Sequence, residues 1–331
     1  MSRPMVAVVG AGQVGATTAQ RIGEAALADV TLIDIVEGMP QGKSLDLREA
    51  APVLGADAIF RGSNDLAAMK GSDLVVVTAG LPRKPGMSRE DLLQKNAEIV
   101  GGVADAILRY APGAFVIVVS NPLDVMTWLT WRRTRFPKNR VMGMAGLLDA
   151  ARFSAFIAME LGVSVKDIRA MVLGGHGDMM VPLARFSTVA GVPVTELIPQ
   201  KRLGEIVQRT RDGGAEIVSL LKTGSAFYAP SASAAAMAAA ILRDEKRILP
   251  VCALLQGEYG LSDVFVGVPA KLGAGGVEAV IELKLVKEEM EALRRSAEMV
   301  RANCDAISKF TRLGGFTRRR RRLRRPGLTA T

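Results

Sequence analysis

The chain holds a single histidine, His176, set among small and acidic neighbours in Gly174-Gly175-His176-Gly177-Asp178. An imidazole is the side chain best suited to exchange a proton near neutral pH. Its neighbours follow an apolar run, which leaves the ring exposed at a strand end with room for a substrate; a histidine alone would read as a surface-loop residue. A proton shuttle of this kind needs a carboxylate on its other ring nitrogen, to orient the ring and favour the protonated form. Asp149, in Leu147-Leu148-Asp149-Ala150-Ala151-Arg152, supplies a candidate, with Arg152 three residues later on nearly the same helix face. A local ion pair at a helix start is the plain alternative for these two.

Gly10, Gly12 and Gly15 make G-x-G-x-x-G directly after the apolar run Met5 to Val9. The first glycine permits a tight turn, the second lets the backbone approach a pyrophosphate, and the third lets helix and strand pack closely. Asp34 follows 19 residues after Gly15, at the end of the next apolar run. A carboxylate there would accept hydrogen bonds from an adenosine ribose and repel a 2′-phosphate, which favours NAD over NADP. The loop from Gly80 to Arg89 presents Arg83, Lys84 and Arg89 among two prolines and two glycines, and can close over an anion or remain a solvated basic loop. Asn121, in Ser120-Asn121-Pro122, can offer an amide at the carboxyl edge of a sheet, although Asn-Pro also starts turns.

Elements that could position these residues are legible in the apolar pattern. Strands are predicted at Met5 to Val9, Val30 to Ile33, Leu74 to Thr78 and Phe115 to Val119, with helices at Val14 to Leu27 and from about Ser88 to Tyr110. Alternating strands and helices imply an α/β fold with a doubly wound parallel sheet, placed at residues 1–145. In 146–307 the pattern predicts helices at Leu148 to Leu161, Lys201 to Leu221 and Ser231 to Leu242. Strands are predicted there at Ile168 to Leu173, Met180 to Phe186, Ile248 to Leu255, Val264 to Leu272 and Gly276 to Leu283, before a last helix at Val286 to Ile307. This second lobe reads as α+β.

The composition narrows the classes further. Of 331 residues, 49% are hydrophobic and 23% charged, which excludes disorder as a global description. No apolar run is long enough to span a membrane, and Arg3 is followed by a glycine turn rather than a signal-peptide core. Two cysteines, Cys252 and Cys304, support neither a disulfide framework nor a four-ligand zinc site. No metal is expected, and the compartment is read as the cytoplasm. The net charge of +10 is concentrated: nine positive charges lie after position 307, seven of them arginines between Arg318 and Arg325. Residues 308–331 therefore read as a basic, disordered tail, the one segment suited to nucleic acid or an anionic membrane.

Together the motifs resemble the lactate/malate dehydrogenase family, in its lactate-dehydrogenase-like bacterial branch. The resemblance runs from about Met5 to Ile307 and is densest at Leu81 to Asn96, Asn121 to Asp124, Gly143 to Arg152, Met171 to Pro182 and Val264 to Leu283. It implies a Rossmann-type cofactor domain, a second α+β substrate domain, NAD as cofactor and a dimer or tetramer. It also implies that His176 donates and accepts the proton, that Asp149 pairs with it, that Arg152 grips the substrate's C1 carboxylate, and that Arg89 polarises the reacting carbonyl. Arg83 is similar to the residue that sets specificity. A cation there pairs with the second carboxylate of oxaloacetate and favours malate over lactate. Asn121 resembles a residue that contacts substrate and the nicotinamide ribose. Ala11, Gln13, Val14, Asn96, Val119 and Ser120 match positions around the cofactor. Lactate or another 2-hydroxy acid is the alternative substrate. Met179 stands where the family usually carries a polar residue, and the arginine tail outruns the family's usual end.

Overall fold

The computed structural model describes residues 3–81 and 89–311. Its first half alternates strand and helix in chain order: Met5–Val9 (β1), Gln13–Glu24 (α1), Asp29–Ile33 (β2), Met39–Leu54 (α2), Phe60–Ser63 (β3), Leu74–Val77 (β4), Arg89–Tyr110 (α3), Phe115–Val118 (β5), Leu123–Thr134 (α4) and Val141–Gly143 (β6). Runs such as Leu-Val-Val-Val in β4 and Phe-Val-Ile-Val in β5 are buried almost throughout, as β-branched strands covered on both faces must be. These six strands are parallel in the order β3-β2-β1-β4-β5-β6. The strand order reverses beside β1, and ligands of such sheets bind at the carboxyl ends of the strands there.

The second half continues with Gly146–Leu161 (α5), Ile168–Arg169 (β7), Val172–Gly174 (β8), Met180–Pro182 (β9), Thr188–Val189 (β10), Val192–Pro193 (β11), Val194–Leu197 (α6), Gln200–Leu221 (α7) and Tyr228–Leu242 (α8). Arg247–Gln256 (β12), Ser262–Gly273 (β13), Gly276–Val280 (β14) and Lys287–Thr311 (α9) complete it. The long hairpin β12-β13 does not form a separate sheet. It continues the parallel one, because β12 pairs antiparallel with β6 at Cys252 and Gly143, and β13 carries on to β8 and β9. One core lines this sheet, and a smaller one, including Phe153, Ile157, Met180 and Ile206, lies beneath α5 and α7.

Several sequence boundaries shift for identifiable reasons. The expected strand Ile168 to Leu173 is two strands, because β7 pairs with β10 in a small second sheet while β8 joins the large one. The strand expected to reach Phe186 stops at Pro182, where its partner β8 runs out. The last helix passes Ile307, where the tail was expected to begin, and reaches Thr311. Ser308 and Thr311 hydroxyls donate there to the carbonyls of Cys304 and Ile307. Arg83, Ser88 and the arginines from 312 onward lie outside the described residues.

Candidate active site

The glycine turn sits at the carboxyl end of β1, and each expected feature has a physical reason. Gly10 has φ +104°, and a Cβ on it would meet the Ala79 amide nitrogen at 2.7 Å. A Cβ on Gly15 would collide with the Gly10 carbonyl, so α1 packs this closely only with glycine there. Gly12, by contrast, has nothing among the described residues within 4 Å of the Cβ position, which leaves an open approach to the backbone. Among the described residues no side chain caps α1, and no acidic residue occupies its first turn. Its leading amides, with Gln13 exposed beside them, have no capping partner among the described residues and suit an anionic group. Asp34 Oδ2 accepts from the Ala11 amide at 2.7 Å and Oδ1 from Val36 at 3.0 Å, which pins the carboxylate beside the turn. Lys43 donates to the Ala11 carbonyl at 2.7 Å. An uncapped helix start, an open glycine face and a pinned carboxylate fit a pyrophosphate with an attached ribose.

On the adjoining strand ends, Val119 and Asn121 line a cavity of about 360 Å³ that also takes in Val14, Arg152 and His176. Ser120 is buried and donates to the Ala79 carbonyl at 2.6 Å, bracing β5 against the end of β4. Asn96, expected beside the cofactor, is 1% exposed and spends its amide on main chain. It accepts from the Leu81 amide at 2.7 Å and donates to the Asn121 carbonyl at 2.8 Å. It thereby ties the start of the basic loop to Asn121. Arg89 opens α3, beyond that loop.

His176 follows β8, and Asp149 projects from the first turn of α5. Nδ1 of His176 lies 3.0 Å from Oδ2 of Asp149, while Arg152 Nη1 lies 3.4 Å from Oδ1. Asp149 is 1% exposed, so its charge is neutralised by these two partners rather than by water. Burial on its own would lower the His176 pKa. The Asp149 carboxylate, through its charge and its hydrogen bond, outweighs that and raises it, helped by Asp124 and opposed by Arg152. Burial pulls the Arg152 pKa down and the Asp149 charge pulls it back. Arg152 Nε is buried without a partner among the described residues, a donor suited to an incoming carboxylate.

Some contributors carry no signal that the sequence reading used. Gly213 and Gly214 in α7 face Arg152: a Cβ on Gly213 would lie 3.3 Å from its Cδ, and one on Gly214 3.6 Å from Nη2. Arg211 and Ser225 also line the cavity. Asp124 accepts from the His176 amide at 2.9 Å, and Ser296 accepts from the Gly175 amide at 2.7 Å. None of these four contacts follows from local spacing; each joins segments distant in the chain.

His176, backed by Asp149, and Arg152 line one cavity together with Val14 of the helix that follows the glycine turn. Comparison with known proteins gives the same organisation over the whole body of the chain. Residues 5–143 match the model for the lactate/malate dehydrogenase NAD binding domain, and residues 147–311 match that for the family's alpha/beta C-terminal domain. A malate dehydrogenase of Roseiflexus sp. is 56% identical over 305 residues, covering 92% of this chain and 99% of that one. The structure of malate dehydrogenase from Salinibacter ruber superposes with a TM-score of 0.89 at 52% identity, covering 92% and 98% of the two chains. Lactate dehydrogenase from Cryptosporidium parvum, complexed with lactic acid and nicotinamide adenine dinucleotide, gives a TM-score of 0.90 at 42% identity over 93% and 99%. With the glycine turn, the Asp149–His176 pair and both domain models in register along one chain, this protein belongs to the lactate/malate dehydrogenase family.

Proposed function

We propose that the chain catalyses the reversible NAD-dependent oxidation of (S)-malate to oxaloacetate. The observation that carries the chemistry is the 3.0 Å contact from His176 Nδ1 to Asp149, which leaves Nε2 as the nitrogen that meets substrate. When bound, NAD supplies the hydride acceptor, and NADH the donor. The protein's own work is to bind, orient and move a proton. Gly10 to Gly15, with Ala11, Gln13 and Val14, hold the pyrophosphate and Asp34 the adenosine ribose. Val119, Ser120 and Asn121 border the nicotinamide end, with Asn96 fixing Asn121. Arg152 holds the C1 carboxylate from the floor of the cavity. In oxaloacetate reduction His176, as imidazolium, gives its Nε2 proton to the carbonyl oxygen; in malate oxidation the neutral ring takes that proton back. Arg89 stabilises the developing charge on the oxygen, and Arg83 pairs with the second carboxylate.

The same reading makes residues 1–145 the cofactor domain, residues 146–307 the substrate domain, the assembly a dimer or tetramer, and the site of action the cytoplasm. The test is NADH oxidation by purified protein, with oxaloacetate and pyruvate compared. Turnover with oxaloacetate alone supports the malate reading. The likeness to a lactate dehydrogenase sustains lactate as the second reading, and preferred turnover of pyruvate would select it. Salt-dependent nucleic-acid or vesicle binding, lost on deletion of residues 308–331, would add a separate role for the arginine segment.

A further inference from the structure

The histidine that exchanges the proton needs its main chain held as firmly as its ring. Asp149 fixes only the ring, from α5. His176 itself lies between Gly175 and Gly177, the latter at φ +97° with nothing among the described residues within 4 Å of its Cβ position, so the local backbone offers little stiffness of its own. Two buried side chains from outside the loop supply it. Asp124, in the first turn of α4 and 5% exposed, accepts from the His176 amide at 2.9 Å. Ser296, in α9 and fully buried, accepts from the Gly175 amide at 2.7 Å. A Cβ on Gly175 would sit 3.3 Å from Asp124 Oδ2 and 3.4 Å from Ser296 Oγ, so the two groups flank this peptide closely.

The Asp124 carboxylate is costly to keep where it is. Burial pushes its pKa up, against the His176 amide and the Cys252 thiol, which favour the charged form. Its Oδ1 has no hydrogen-bond partner among the described residues. Its other oxygen accepts the His176 amide, which ties this buried carboxylate to the main chain of the site.

We propose that Asp124 and Ser296 are positioning residues that clamp the Gly175–His176 main chain from two helices and so set the reach of the imidazole toward substrate. The proposal rests on the role assigned to His176 above. It is distinct from the Asp149 contact, because it acts on backbone amides and leaves the ring nitrogens untouched.

The test compares S296A, D124A and D124N with the wild-type protein by kcat and KM for oxaloacetate reduction, NADH affinity by fluorescence, and proton NMR of the only histidine. A misplacement of about 1 Å costs on the order of 100-fold in rate. S296A and D124A should therefore lose kcat by tenfold or more, on the order of that scale, while NADH affinity stays within about twofold. D124N, whose amide oxygen still accepts the His176 N–H, should recover most of the loss. The wild-type ring should show one exchange-protected Nδ1–H resonance, broadened in S296A and D124A and restored in D124N. Wild-type kcat and an unaltered resonance in folded S296A, or a D124N no better than D124A, would overturn the clamp. If D124A does not fold, S296A and D124N decide alone. If the wild-type enzyme turns over neither keto acid, the functional reading fails, and the resonance still tests the clamp without turnover.

Discussion

His176 and Asp149 meet at 3.0 Å through Nδ1 and Oδ2, and Asp149 is held in turn by Arg152 at 3.4 Å, so one buried carboxylate contacts both groups to which the proposed reaction gives the proton and the substrate carboxylate. The carboxylate fixes the tautomer, with hydrogen on Nδ1 and Nε2 left for exchange. Asp149→Asn removes the charge and permits the opposite tautomer. It should lower kcat by on the order of 10²–10⁴-fold, and His176→Ala by at least as much, with NADH affinity nearly unchanged. Stopped-flow NADH oxidation with a parallel NADH titration checks both; near-native turnover by H176A would remove the assigned role.

On the proposed reaction, in which His176 gives the proton in one direction and takes it in the other, its raised pKa sets the interval over which the two directions respond oppositely to pH. Oxaloacetate reduction needs imidazolium in the free enzyme, so kcat/KM should fall as pH rises through the elevated value. Malate oxidation needs the neutral ring and should rise over the same interval. Asp149→Asn should move both midpoints to lower pH. The pair also stabilises the fold: its contribution is complete below the ordinary imidazole pKa and is lost as pH climbs through the folded one. Urea midpoints for wild type and D149N, measured across that interval, should draw closer toward the alkaline end, leaving the difference due to the Arg152 pair.

Gly213→Ala separates stability from binding. Replacing a helical glycine by alanine gains about 0.5–1 kcal/mol of intrinsic helix preference. Yet the added methyl would lie 3.3 Å from Arg152 Cδ, so the guanidinium must shift to make room. The expected result is a Tm that does not fall and a KM for oxaloacetate that rises several-fold. Unchanged KM would mean that Arg152 has slack that the packing does not suggest.

Arg83→Gln should weaken the dicarboxylate substrate selectively. Losing one charged hydrogen-bonding partner costs about 1.5–3 kcal/mol, or about tenfold to a hundredfold in kcat/KM for oxaloacetate, with pyruvate improved or unaffected. Competition assays with both keto acids would expose a generic loss of activity, which is the outcome that contradicts a specificity role.

At the other end of the cofactor site, Asp34 binds the Ala11 and Val36 amides and places its charge beside the glycine turn. Asp34→Ser keeps an acceptor but removes the repulsion felt by a 2′-phosphate. The ratio of kcat/KM for NADH over NADPH should drop by at least an order of magnitude. An unaltered ratio would locate the discrimination elsewhere.

What the sequence made legible was local. The glycine turn, the strands of the first lobe and the lone histidine are visible because strand period, turn chemistry and residue type are all written within a few neighbours. Helix α2, with Pro52 inside it, and strand β3, read as Phe-Arg-Gly-Ser, were invisible because neither has the expected periodicity; α2 packs chiefly on β3, and β3 takes its form by pairing with β2. Likewise Asp124 lies 52 residues from His176, and Ser296 lies 121 from Gly175. No spacing rule links positions so far apart, and only the fold brings them within hydrogen-bonding distance. The Asp149–His176 separation of 27 residues is just as silent: residue type made Asp149 a candidate carboxylate, and the resemblance to a family joined it to His176.

The joint between β6 and β12, a single ladder position at Gly143 and Cys252, carries a consequence for how the molecule comes apart. Both lobes hang on one continuous sheet, and Trp131 of α4 packs 5.8 Å from Phe265 of β13 across the same boundary. Neither lobe can melt without stripping apolar cover from the other, so denaturation should be a single cooperative event despite two lobes of different architecture. The two tryptophans, Trp128 and Trp131, both sit on α4 and report from that boundary. Their fluorescence should trace the same transition in denaturant as the loss of helix ellipticity from the whole chain.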